Sequence, residues 1–215
     1  MPSQFDFGDE SLKVTARSAK DMQLHVIKDS RDGERIRQTL PSTLASMAFT
    51  IWFYHLFLDW PIAIGSVLMI FVHECGHAIA ARRFGLRYMG MKFIPGLGGV
   101  VYHQKGNTTV AEDGFIGIMG PVFGTLFGLG CLVGYFTTQT PFWIVFWLGL
   151  ARWTFIVNAM NLLIPAPPLD GHWIAAVFAR GARSTKAERI KYALAWAGLG
   201  AFLIAGILFC NAQYG

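Results

Sequence analysis

The sequence is poor in charge. Only 14% of its 215 residues are Asp, Glu, Lys or Arg, against 53% hydrophobic, and its mean hydropathy is +0.43. So apolar a balance excludes both an ordinary soluble domain and a disordered chain. Cysteine is scarce too: Cys75, Cys131 and Cys210 all lie in apolar stretches, far from one another, so neither a disulfide framework nor a CxxC metal site is expected. The first forty residues lack a continuous apolar core, so no cleavable signal peptide is expected. The net charge is +5 and the pI is near 9.3. The basic residues, however, fall in short segments between apolar runs, the pattern of a positive-inside topology, so no nucleic-acid partner is expected.

What is there, beyond about residue 40, is window after window apolar enough to cross a bilayer at ~20 residues per span. The expectation is an all-α polytopic membrane protein whose partner is the lipid bilayer itself. A charged N-terminal cytosolic segment covers 1–40, and an integral-membrane domain covers 41–215 with spans at about 42–59, 61–82, 112–137, 142–165 and 190–210. The first segment carries seven acidic and seven basic residues around a possible Asp32-Gly33 turn. A hairpin, an amphipathic surface segment and a partly ordered tail all remain open for it, and His25 reads as a solvent-exposed bystander. His55 reads as interfacial. Arg82, Arg83 and Arg87 follow the second span, and Arg180, Arg183, Lys186, Arg189 and Lys191 follow the fourth, whereas the loop around Thr137-Thr138-Gln139-Thr140 is uncharged. The expected topology is multi-pass in the cell (inner) membrane, with the N-terminus cytosolic and the C-terminus outside.

Between Tyr88 and Thr109 glycine and proline break the chain too often for a spanning helix. The run Ile94-Pro95-Gly96-Leu97-Gly98-Gly99-Val100 predicts a re-entrant, β-hairpin-like loop, tolerable at membrane depth only against protein or a wet cavity. In the third span Gly117, Gly120, Gly124 and Gly128 with Pro121 predict close helix contact, and Glu112 and Asp113 before it predict a capped N-terminus. Arg152 within the fourth span demands a partner or a wet cavity.

The chemistry concentrates in Phe71-Val72-His73-Glu74-Cys75-Gly76-His77, an HExxH motif inside an apolar segment. On a helix His73 and His77 stand one turn apart on one face and can reach a single metal ion, with Glu74 beside it. A chance occurrence is disfavoured, since a mid-membrane carboxylate costs ~2.5–3.5 kcal/mol. Much later, Pro165-Ala166-Pro167-Pro168-Leu169-Asp170-Gly171 stops the fourth helix and leaves Asp170 on an unwound turn near the same membrane depth. His103 and His172 are the other histidines that could compete for metal.

With these residues in hand the chain resembles the site-2 protease family of intramembrane zinc metalloproteases, in a minimal form without PDZ or CBS domains. The resemblance covers roughly residues 61–175. It rests on the His73–His77 motif, the Ile94–Val100 loop, Gly120-Pro121, and the Leu169-Asp170-Gly171 turn. It implies Zn2+ on His73, His77 and Asp170, Glu74 as the catalytic base, and hydrolysis of a peptide bond in or near a transmembrane segment of a membrane-protein substrate, close to the cytosolic side. Substrate binding is implied for Gly98, Gly99, Val100 and Asn161. The sequence departs from the family pattern at two points: Gly124 stands where an Asn usually follows Gly-Pro by three residues, and Asn161 lies nine rather than eight residues before Asp170. The alternative is a non-catalytic homologue that binds membrane proteins through the same cleft. An HExxH protease with a Glu as third ligand would have to use Glu112 or Glu188. Di-iron desaturase chemistry needs more histidine boxes than six scattered histidines supply.

Overall fold

The computed structural model describes residues 39–103, 106, 108–179 and 185–213. The Asp32-Gly33 turn and His25 lie outside the described residues. Helix α1 spans Leu40–His55, α2 Trp60–Arg83, α3 Val110–Thr137, α4 Pro141–Leu163, α5 Gly171–Ala179 and α6 Lys186–Ala212, with strands β1 (Tyr88–Ile94) and β2 (Gly98–His103) between α2 and α3. Local sequence accounts for the boundaries. Pro61 and Pro141 occupy first-turn positions of α2 and α4, where a missing N–H costs nothing. Thr109 with Glu112, and Thr185 with Glu188, form reciprocal capping boxes at the starts of α3 and α6. Glu112 and Glu188 are thereby committed to backbone amides.

Among the described residues four helices, α2, α3, α4 and α6, are long and apolar enough to cross a membrane. The outer faces of this integral membrane protein expose Leu68, Leu126, Val133, Val145 and Leu208, as a lipid surroundings requires. The first expected span, 42–59, falls on α1. Helix α1 has 16 residues and rises about 24 Å, short of the ~30 Å hydrocarbon core. It ends in a turn over Leu56–Leu58, where His55 stacks on Trp60 at 3.8 Å.

Helix α1 also supports the hairpin. The two strands are antiparallel, with Lys92 opposite Val100 and Phe93 opposite Gly99, and Gly96 and Gly98 supply the positive φ values of the turn. Along the outer edge of β1, Thr43 Oγ1 donates to the Met91 carbonyl at 2.6 Å and the Phe93 N–H donates to Ser46 Oγ at 3.1 Å. That edge is therefore satisfied by a helix rather than left open. Met91 and Phe93 pack inward on Val67, Met69 and Ile70 of α2. A second core joins α3, α4, α5 and α6 around Leu148, Phe155, Leu162, Ile174 and Leu203.

The nine-residue α5 was not expected from sequence. It is too short to persist alone, and Ile174 and Val177, both fully buried, hold it in the bundle. Arg152 is exposed on α4, close enough to Cys210 of α6 to act on it electrostatically.

Candidate metal centre

Helix α2 carries His73 and His77 one turn apart, with their ring centroids 5.0 Å apart. The loop after α4 delivers Asp170 to the same place. His73 Nε2 lies 2.9 Å from Asp170 Oδ2, His77 Nε2 lies 3.2 Å from Asp170 Oδ1, and the two Nε2 atoms are 3.2 Å apart. Donors held ~2.0–2.1 Å from a tetrahedral zinc ion are separated from each other by about 3.3 Å. The three groups are thus spaced closely enough to share one such ion, and among the described residues they form the one His/Cys/Asp/Glu group with that spacing.

The outward sides of the rings support the same fit. His77 Nδ1–H donates to the Ile116 carbonyl at 2.8 Å, and His73 Nδ1–H donates to Asn158 Oδ1 at 2.9 Å. With Nδ1–H committed outward, each ring turns Nε2 toward the carboxylate. The space between is suited to positive charge: a proton on Nε2, or a metal ion that displaces it. Burial alone would push the Asp170 carboxyl up in pKa, but the His77 and His73 imidazoles outweigh burial and hold it below the usual carboxylate range.

Asn161 reaches this group from the last turn of α4. Its Nδ2 donates to Asp170 Oδ2 at 2.6 Å, and its Oδ1 accepts the Asp170 N–H at 3.1 Å. The ninth residue of spacing does not rotate Asn161 off the site, because α4 is regular to Leu163 and the residues up to Asp170 follow as non-helical loop. Gly120 of α3 lies directly over both rings. A Cβ there would overlap His77 Nε2 and stand 2.6 Å from His73 Nε2, so only a glycine lets α3 cross at this height.

Glu74 is buried at 7% exposure and lies against the hairpin, where a Cβ on Gly99 would stand 2.8 Å from its Cδ and 2.9 Å from its Oε1. Gly98 and Val100 flank that contact on β2, and Val100 is open to the surroundings. His103 is exposed at the end of β2, and His172 packs edge-on to Trp173. Neither joins the metal group.

Sequence reasoning passed over Asn158, whose side chain touches His73. Its signal was present: a polar residue inside an apolar span, three residues before Asn161 and so on the same helical face.

Residues 61–142 match the model of peptidase family M50. No curated protein matches the chain. The matched segment includes His73, Glu74, His77, the hairpin and Gly120, and ends before Asn158, Asn161 and Asp170.

Proposed function

We propose, from the match of residues 61–142 to the model of peptidase family M50, that this chain is a zinc-dependent intramembrane endopeptidase, hydrolysing a peptide bond in or near a transmembrane segment of a membrane-protein substrate. The single observation that carries this reading is the convergence of His73, His77 and Asp170 at metal-sharing distances, with Glu74 beside them. These three residues would hold the ion, in a set that leaves a fourth coordination position for reactants. Zinc bound there supplies Lewis acidity, drawing charge from the scissile carbonyl and acidifying water toward a pKa of ~7.

The remaining work belongs to side chains and backbone. As a water oxygen attacks the scissile carbonyl carbon, the Glu74 carboxylate takes the proton that water releases. When the C–N bond breaks, Glu74 returns that proton to the leaving nitrogen. Asn161 holds Asp170 in place through two hydrogen bonds, Nδ2 to the carboxylate and Oδ1 from the backbone N–H. A peptide bond within a helix is shielded by its own hydrogen bonds, so the substrate must unwind. Strand β2 offers an edge for it beside Glu74, since the edge of β1 is taken by α1. The arginines at 82, 83 and 87 favour a cytosolic position for this end of α2.

The test is cleavage of a reporter transmembrane segment by the detergent-purified chain, with zinc measured per chain. About one zinc per chain is expected, with cleavage abolished by chelation and restored by zinc; zinc-independent cleavage, or metal-free protein that cannot be loaded, would overturn the reading. Gly99→Ala supplies a finer check. The added methyl would crowd the Glu74 carboxyl, and a displacement of about 1 Å is enough to cost ~10²-fold in rate. The expected result is a fall in kcat of that order with zinc content unchanged.

A further inference from the structure

We infer that Asn158 is a positioning residue for His73, and that Gly124 is the gap through which α3 admits it. The inference rests on the zinc reading above. Asn158 is fully buried on α4, where an amide without partners is costly. Its partners are specific. Nδ2 donates to the Thr154 carbonyl one turn back at 2.8 Å. A carbonyl only accepts, so the nitrogen end of the amide is assigned by that contact and the oxygen end must face His73. An oxygen at 2.9 Å from Nδ1 accepts a proton and cannot donate one, so Nδ1 is the protonated nitrogen and Nε2 is the one presented to Asp170 and the ion. Asn158 therefore selects both the ring orientation and the tautomer of a ligand that belongs to another helix.

Gly124 completes the device. A Cβ at that position would overlap Asn158 Oδ1 and stand 2.6 Å from Nδ2 and 2.7 Å from Cγ. Any side chain there would drive the amide away from the imidazole. His77 needs no such residue, because the backbone carbonyl of Ile116 performs the same task. The two histidines are thus oriented by different means, and only the His73 arm depends on a replaceable side chain.

The experiment is zinc affinity of the full chain in detergent, by competition with a chromophoric chelator, together with the visible absorption of the cobalt(II)-substituted protein. Asn158→Ala is expected to weaken zinc binding about 10–100-fold and to shift the cobalt bands, while Asn158→Asp, which keeps an acceptor facing Nδ1–H but sets its second oxygen against the Thr154 carbonyl, is expected to recover the cobalt bands and part of the affinity. A merely structural role would not restore the cobalt spectrum with a buried carboxylate. Affinity within about twofold of wild type in Asn158→Ala, or an Asp variant as weak as the Ala variant, would overturn the inference. Should Asn158→Ala not fold, Gly124→Ala reads the same contact by displacing the amide without removing it: a comparable loss supports the inference and unchanged affinity overturns it. Wild-type protein that binds no zinc would overturn the zinc reading together with this inference, whereas zinc-binding wild type with an indifferent Asn158 overturns the inference alone.

Discussion

Glu74→Gln is expected to bind zinc at the wild-type stoichiometry and to lose peptide hydrolysis by about 10²–10⁴-fold. The two side chains are nearly isosteric, so the contact with Gly99 of β2 is preserved and the metal group, which does not include Glu74, is untouched. What disappears is a carboxylate able to hold a proton between attack and departure of the amine. Metal analysis beside reporter cleavage separates the two effects. A variant that keeps cellular function with Gln at position 74 would favour the non-catalytic alternative, in which the cleft only binds membrane proteins.

Asp170→Ala is expected to abolish stoichiometric zinc, and cleavage with it. Two imidazoles alone do not make the three-residue set of a catalytic zinc site. The substitution also removes the carboxylate to which Asn161 Nδ2 donates, leaving only the backbone N–H of residue 170 on Asn161 Oδ1 to fix the loop. His172→Ala, two residues away, is the control. His172 packs on Trp173 outside the metal group, so its loss should leave zinc in place. Zinc that survives Asp170→Ala and departs with His172→Ala would exchange the roles of the two residues.

How much of this was legible in the sequence differs from residue to residue. His73, Glu74 and His77 are local: a four-residue spacing on a helix puts them on one face whatever the fold. The hairpin was legible because Gly96, Gly98 and Gly99 between β-branched and aromatic residues leave a helix no place to form. The capping of α3 by Glu112 was legible for the same local reason. Contacts between distant elements were not. Nothing in the sequence says that Thr43 and Ser46 meet β1, and that contact gives α1 a role although it falls short of a full span. The helix α5 escaped notice because its stability comes from burial of Ile174 and Val177, not from its own nine residues. The contact of Asn161 with Asp170 depends on the course of the non-helical stretch after Leu163, which the nine-residue spacing does not describe. Asn158 was visible as an oddity, but its meaning depends on the empty space at Gly124 in a helix 34 residues earlier.

The linkage of the metal group along the chain has a consequence for biosynthesis. His73 and Asp170 are 97 residues apart, and a chain leaves the ribosome from its N-terminus. Under the proposed ligand set, a nascent protein holding α2, the hairpin and α3 possesses the base and two ligands, yet it has no competent centre. The last ligand arrives only after α4 is complete, and Asn158 and Asn161 arrive within that same helix. Under the proposed function, the order of synthesis would keep the chain from attacking unfinished neighbours in the membrane until its third long helix is in place.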